Sequence, residues 1–207
     1  MARQRLPEDV RKQEILNACD RLYQEKGFRE ITIKDISQET SFSRPSIYNY
    51  FETKEEIFLG LLTREYELWI GDLEEIAAGE ISGSADLAVK IAQSLEKRKT
   101  LLKITSMNLY EIEENSRLER LMEFKRQFKR SMTAFLACVK ATIPEMTEAE
   151  LAKIRFAFFP FMYGIYPYAF PTGKQLEAME REGIEVGKMS IRELTENLLN
   201  SVLAKGA

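Results

Sequence analysis

The 207-residue chain is 44% hydrophobic and 30% charged, enough for a folded core under a solvated surface and unlike a disordered composition. Its net charge is −3, so bulk electrostatic attraction to nucleic acid is excluded, and any DNA contact must come from a local site. There is no histidine, which removes the commonest general base and metal ligand. No Cys-x-x-Cys pair, glycine-rich phosphate loop or Gly-x-Ser-x-Gly elbow is present, so no catalytic residue, metal or cofactor is expected.

Helical periodicity runs throughout and alternating strand patterns are absent, which predicts an all-α fold. The first helix is predicted from Pro7 to Lys26, with Ile15, Cys19, Leu22 and Tyr23 on one face and Gly27 as its stop. "TIKDISQET" opens with Thr32 and Asp35, a capping-box pair, and predicts a short second helix ending near Thr40. "SFS" turns the chain, and Ser43 caps a third helix from Arg44 to about Phe51, with Pro45 tolerated in its first turn. Thr53 with Glu56 opens a long fourth helix to about Ala78. After a break at Gly79 and "ISGSAD", further helices are predicted over 85–98, 100–114, 117–143, 148–170, 174–182 and 190–204. Capping pairs Thr147–Glu150 and Ser190–Glu193 mark two of these starts.

Two short helices joined by a tight turn and backed by a longer one read as a helix-turn-helix, whose second helix enters the major groove. Ile47 and Phe51 share the inward face of that helix, leaving Ser43, Arg44, Ser46, Tyr48, Asn49 and Tyr50 to project outward or sideways. A structural helix this short does not normally expose two tyrosines, and a tyrosine offers a flat apolar body with a hydroxyl that can bond a phosphate. The stretch "ITIKDISQETSFSRPSIYNYFETKEEIFLGLL" resembles the DNA-binding module of the tetracycline-repressor (TetR) family, and residues 8–62 follow that pattern nearly throughout. The resemblance implies that Thr32 and Lys54 contact phosphates and that Tyr48 and Tyr50 press on the backbone. It places Ser43, Arg44, Pro45, Ser46 and Asn49 at or near base edges. One departure is Ser41, where the family often has glycine in the turn; a serine there is strained if the backbone is left-handed. Residues 1–54 hold ten Lys/Arg against nine Asp/Glu, so few phosphate contacts per subunit are expected. Arg3 and Arg5 could extend them as a basic arm or form a plain tail.

The implied organisation is an N-terminal three-helix helix-turn-helix module, residues 1–54, followed by a larger ligand-binding and dimerisation bundle, residues 55–207. In "LAKIRFAFFPFMYGIYPYAFP", Leu151, Ile154, Phe158, Phe161, Ile165 and Tyr168 follow 3,4 spacing, and a second face is also aromatic. A helix apolar nearly all round is buried on more than one side, and this predicts a partner. With Ile191, Leu194, Leu198 and Val202 of the last helix, it forms the expected homodimer interface. The family also places a small-molecule effector among the middle helices. Pocket candidates are Trp69, Met107, Tyr110, Phe124, Phe128, Met132, Phe158, Met162 and Tyr166, although such a stripe is more often plain core. No charge cluster marks the pocket, so a largely apolar or aromatic molecule is expected.

Cys19 and Cys138 lie in apolar stretches and read as reduced core thiols. The proline- and glycine-interrupted run 156–173 is too short for a membrane span, and "MARQRLPEDV" carries no signal peptide, so a cytoplasmic protein is expected. The leading reading is a repressor dimer that binds a double-stranded DNA operator and is released by a small molecule. An activator or partner-controlled regulator of the same fold stays open, as does a helical carrier or enzyme without a DNA role.

Overall fold

The computed structural model describes residues 7–185, 187 and 189–204; Arg3 and Arg5 lie outside the described residues. Eleven helices and one 3-10 turn make up the secondary structure of those residues, with no strand. In chain order they are α1 (Glu8–Glu25), the 3-10 turn Phe28–Glu30, α2 (Ile33–Gln38), α3 (Arg44–Ile47), α4 (Lys54–Ala78) and α5 (Ser84–Glu96). They continue with α6 (Lys99–Met107), α7 (Leu109–Glu114), α8 (Leu118–Thr142), α9 (Glu148–Ala169), α10 (Gly173–Arg181) and α11 (Ile191–Leu203).

Helix starts follow local chemistry closely. Thr32, Thr147 and Ser190 each accept a hydrogen bond from the backbone N–H three residues on, and the acid there accepts one in return. Thr172 and Gln175 form a fourth such box, which the sequence reading missed. At α4, Thr53 accepts from the Glu56 N–H at 3.1 Å, but the Glu56 carboxylate takes the Glu52 N–H instead of closing the box. Gly27 does not stop α1 by left-handed geometry: its φ is −73°, and the Glu30 carboxylate holds its N–H at 2.7 Å. Among the described residues only Gly83 and Gly183 have positive φ.

The chain divides into two compact units. The first contains the described part of 1–65 together with 108–126, so this compact unit runs past residue 54 and takes in a later segment. Its core joins Ile15, Cys19, Leu22 and Tyr23 of α1 to Phe28, Ile36, Ile47, Phe51 and Phe58, with Ile112 and Phe124 contributed by the later segment. Phe58 receives Tyr23 and Phe28 edge-on at ring separations of 5.0 and 4.8 Å. The single helix expected over 100–114 breaks at Asn108, whose side-chain oxygen accepts the Tyr23 hydroxyl at 2.9 Å.

The second unit holds 66–107 and the described residues from 127 onward. There α11 packs on α5 and α9, and α6 packs on α9. Phe158 lies at the middle, stacked on Phe135 at 4.2 Å and on Trp69 at 6.2 Å. The Trp69 indole N–H donates to Ser94 Oγ at 3.1 Å, and Arg98 closes on Asp72 at 2.6 Å. Cys19 and Cys138 are free and buried; burial pushes the Cys138 thiol up to about 11. No described helix is long and apolar enough to cross a membrane.

Removing the ring at the centre of the second unit leaves a cavity that its stacked neighbours cannot close. Phe158→Ala is expected to cost about 3–5 kcal/mol in urea denaturation. A loss below about 1 kcal/mol would contradict this packing.

Candidate nucleic-acid interface and effector region

Helix α3 has only four residues, and its backbone bonds run from Ser46 N–H to the Ser43 carbonyl and from Tyr50 and Phe51 N–H to the Ile47 carbonyl. It ends at Ile47, earlier than expected, with 48–50 as a turn. Ile47 is fully buried and Phe51 nearly so, as the sequence spacing required. Ser43, Arg44, Pro45, Tyr48 and Asn49 are exposed together, while Ser46 and Tyr50 are half-buried. The Arg44 guanidinium donates to the Tyr48 hydroxyl at 3.0 Å and lies 5.7 Å from its ring, so two groups expected at DNA are oriented before DNA arrives. Ser43 Oγ sits 3.2 Å from Ser46 Oγ and does not cap the helix with its side chain.

Two expected phosphate contacts are already engaged. The Thr32 hydroxyl donates to the Asp35 carboxylate at 2.6 Å, and those bonds hold the Asp35 pKa below the usual value. Lys54 departs furthest from expectation. Its amine donates to the Phe28 carbonyl at 2.9 Å and the Ile31 carbonyl at 3.4 Å, and lies 4.2 Å from the Phe28 ring centre. It ties the start of α4 to the link between α1 and α2.

The segment that holds the far side of the motif carries no local sequence signal. Arg117 clamps Glu56 with Nε at 2.6 Å and Nη2 at 2.8 Å, and its Nη1 reaches Glu52 at 2.8 Å. Arg120 donates to the Tyr50 carbonyl at 3.1 Å, and Thr53 donates to the Asn115 carbonyl at 3.2 Å. Burial pushes the Glu56 carboxyl up, but bonds from Arg117 and from the Glu52 and Arg117 N–H groups outweigh it and leave the pKa lowered. These partners are 61 residues apart in sequence, and no short-range pattern joins them.

Known proteins carry the same architecture. The family model for bacterial regulatory proteins of the tetR family matches residues 15–61, and that for the tetracyclin repressor-like C-terminal domain matches 63–206. The chain belongs to the TetR family of transcriptional regulators. The HTH-type regulator YfiR of Bacillus subtilis is 44% identical over 50 residues, 24% of each chain, so this match spans about a quarter of that relative's length. YvkB of the same organism is 22% identical over 170 residues, 81% of this chain and 87% of its own. The regulator FadR from Bacillus subtilis, solved with stearoyl-CoA, has TM-score 0.62 at 17% identity over 93% of this chain and 97% of its own.

Within this TetR-family chain the pocket candidates separate. Trp69, Phe158 and Met162 are buried in the second unit, with Phe128, Met132 and Tyr166 half-buried there. The aromatic cluster also takes in Tyr66, Phe135, Phe159 and Tyr163, which the candidate set omitted. Three candidates do not join it: Met107 is exposed, and Tyr110 and Phe124 belong to the DNA-binding unit, Tyr110 as an 84% exposed side chain. The second unit carries a cleft of about 640 Å³ lined by Lys99, Tyr168, Phe170, Met189 and Ile191 among others. There the Lys99 amine lies 5.4 Å from the Phe170 ring centre.

The expected dimer stripe is a correction. Leu151, Ile154, Phe158, Ile165 and Ile191 are buried inside their own unit, where α9 packs on α6 and α11 and Phe158 stacks on Phe135 and Trp69. Phe161, Leu194, Leu198 and Val202 stay partly exposed. The outward arc of α9 is instead Phe156, Ala157, Pro160, Phe161, Gly164 and Tyr168, with Phe156 69% and Tyr168 76% exposed.

Two outcomes follow from the clamps. Lys54→Met is expected to leave the slope of log affinity against log salt unchanged, whereas loss of a phosphate contact would reduce it by about one. The lowered Glu56 pKa gives stability that is present above its unfolded value near 4.5 and lost as pH falls through the lower folded value. The wild-type melting temperature should therefore drop more steeply below that pH than that of Glu56→Gln. Parallel pH profiles would contradict the clamp.

Proposed function

We propose that this TetR-family regulator is a homodimeric cytoplasmic repressor that leaves its double-stranded DNA operator when a small, largely apolar or aromatic molecule binds the second unit. It has no catalytic role in this reading. The observation that carries it is the exposed face of Ser43, Arg44, Pro45, Tyr48 and Asn49 on a helix-turn-helix whose inward side is fully packed. Arg44 is suited to guanine or phosphate, and Tyr48 to the backbone. Tyr50 and Ser46 lie at the edge of that face, and Thr32 at the start of α2.

The outward arc of α9, with Leu194, Leu198 and Val202 of α11, is the surface we assign to the second subunit. Large exposed aromatics on it support that use. The aromatic cluster around Trp69 and Phe158 supports an apolar or aromatic effector, as does the stearoyl-CoA held by FadR. Helix α4 passes unbroken from the first unit at 65 into the second at 66, and α8 does so at 126 and 127. A ligand preferring another arrangement of the second unit can act on α3 through these shared helices. Operator DNA must then weaken ligand binding by the same factor.

The test is a salt titration of binding to a duplex taken from beside the protein's own gene. Wild type should prefer it over unrelated DNA, and Tyr48→Ala should lose about tenfold or more in affinity, as expected for a desolvated contact. Equal binding by both proteins to both duplexes would contradict operator reading. Phe156→Arg, at a side chain that the monomer does not bury, should sediment as a monomer with unchanged helicity; a dimer of wild-type affinity would contradict the assigned face.

A further inference from the structure

The turn between α2 and α3 aims the recognition helix, and here it lacks the glycine expected at that place. Ser41 does not take a left-handed backbone, since no described non-glycine residue has positive φ. The turn is held from α1 instead. The Glu14 carboxylate accepts the Ser41 N–H through one oxygen and the Ser41 hydroxyl, at 3.1 Å, through the other. On the same stripe of α1, Arg21 donates to the Glu39 carbonyl at 3.1 Å, and the Arg11 guanidinium lies 5.9 Å from the Phe42 ring centre. Between them Ala18 is fully buried. Residues 11, 14, 18 and 21 follow helical spacing, so one face of α1 grips residues 39–42.

We propose that Glu14 is a positioning residue for operator reading: it fixes the entry of α3 by holding both polar groups of Ser41, without touching DNA. The proposal rests on the operator reading by α3 given above. Coulomb attraction makes the opposite prediction, because removing a carboxylate beside a polyanion tightens binding. The conservative change is informative for the same reason. Glutamine keeps an oxygen for the Ser41 N–H and an amide for its hydroxyl, while losing the charge.

The experiment measures affinity for a duplex enriched by wild type from a random-sequence pool, and for a shuffled duplex of equal length. Circular dichroism and sedimentation check fold and assembly. Glu14→Ala should lose about tenfold in the ratio of specific to non-specific affinity, the scale of one charged hydrogen-bonded anchor. Its shuffled-duplex affinity should be equal or tighter, and Glu14→Gln should keep the ratio within about threefold of wild type. An unchanged ratio in Glu14→Ala overturns the proposal. If Glu14→Ala does not fold, Ser41→Ala, which deletes only the hydroxyl bond, carries the test: its ratio should fall about threefold, and an unchanged ratio overturns the proposal. A wild type that enriches no sequence would overturn operator reading itself, before Glu14 is in question.

Discussion

A four-residue helix cannot hold itself in water, because nucleation fixes several residues for very few backbone bonds. Everything at the proposed DNA face of this protein depends on that constraint. Helix α3 stays in place because other elements hold it at its base, its entry and its exit. Ile47 and Phe51 anchor the base. Gly60 of α4 lets the Phe51 ring approach, since a Cβ there would meet that ring at 3.2 Å. The entry is held by Glu14 on Ser41, and the exit by Arg120 on the Tyr50 carbonyl. Arg117 on Glu56 and Glu52, and Lys54 on the Phe28 and Ile31 carbonyls, fix the start of α4 behind it.

This division of labour leaves the outer face, Ser43, Arg44, Pro45, Tyr48 and Asn49, exposed for the operator reading proposed above. Arg44 and Tyr48 are already paired with each other, so little side-chain freedom remains to be lost when DNA binds. Cations that composition alone would assign to phosphate are partly used up inside the motif, Lys54 above all. With a net charge of −3, the proposed operator reading rests on fit at a few positions more than on bulk attraction. The later segment 108–126 belongs to the same compact unit, so the DNA-binding unit is assembled from two separate parts of the chain.

Local chemistry was legible in the sequence. The capping pairs at Thr32, Thr147 and Ser190, the start of α4 after Thr53, and the inward pair Ile47 and Phe51 all follow from side chains a few residues apart. What was not legible depends on partners distant in sequence. The break at Asn108 reflects a bond to Tyr23, 85 residues away. Arg117 finds Glu56 across 61 residues, and Glu14 finds Ser41 across 27. Periodicity correctly found an apolar stripe on α9 but not which neighbour it meets. Leu151, Ile154, Phe158 and Ile165 turn into their own unit, leaving Phe156 and Tyr168 outside. One pocket candidate diverges in a similar way: Phe124 is core, but core of the other unit.

The most direct check on this account is native-state amide hydrogen exchange at Tyr50 and Phe51, whose N–H groups both bond to the Ile47 carbonyl. If α3 is held by its surroundings, these two amides should exchange as slowly as those of α4 residues 57–62 in the free protein, through opening of the whole unit. Exchange at the rate of an unstructured peptide, with α4 still protected, would mean that the recognition helix is not organised before DNA arrives, and would contradict the account.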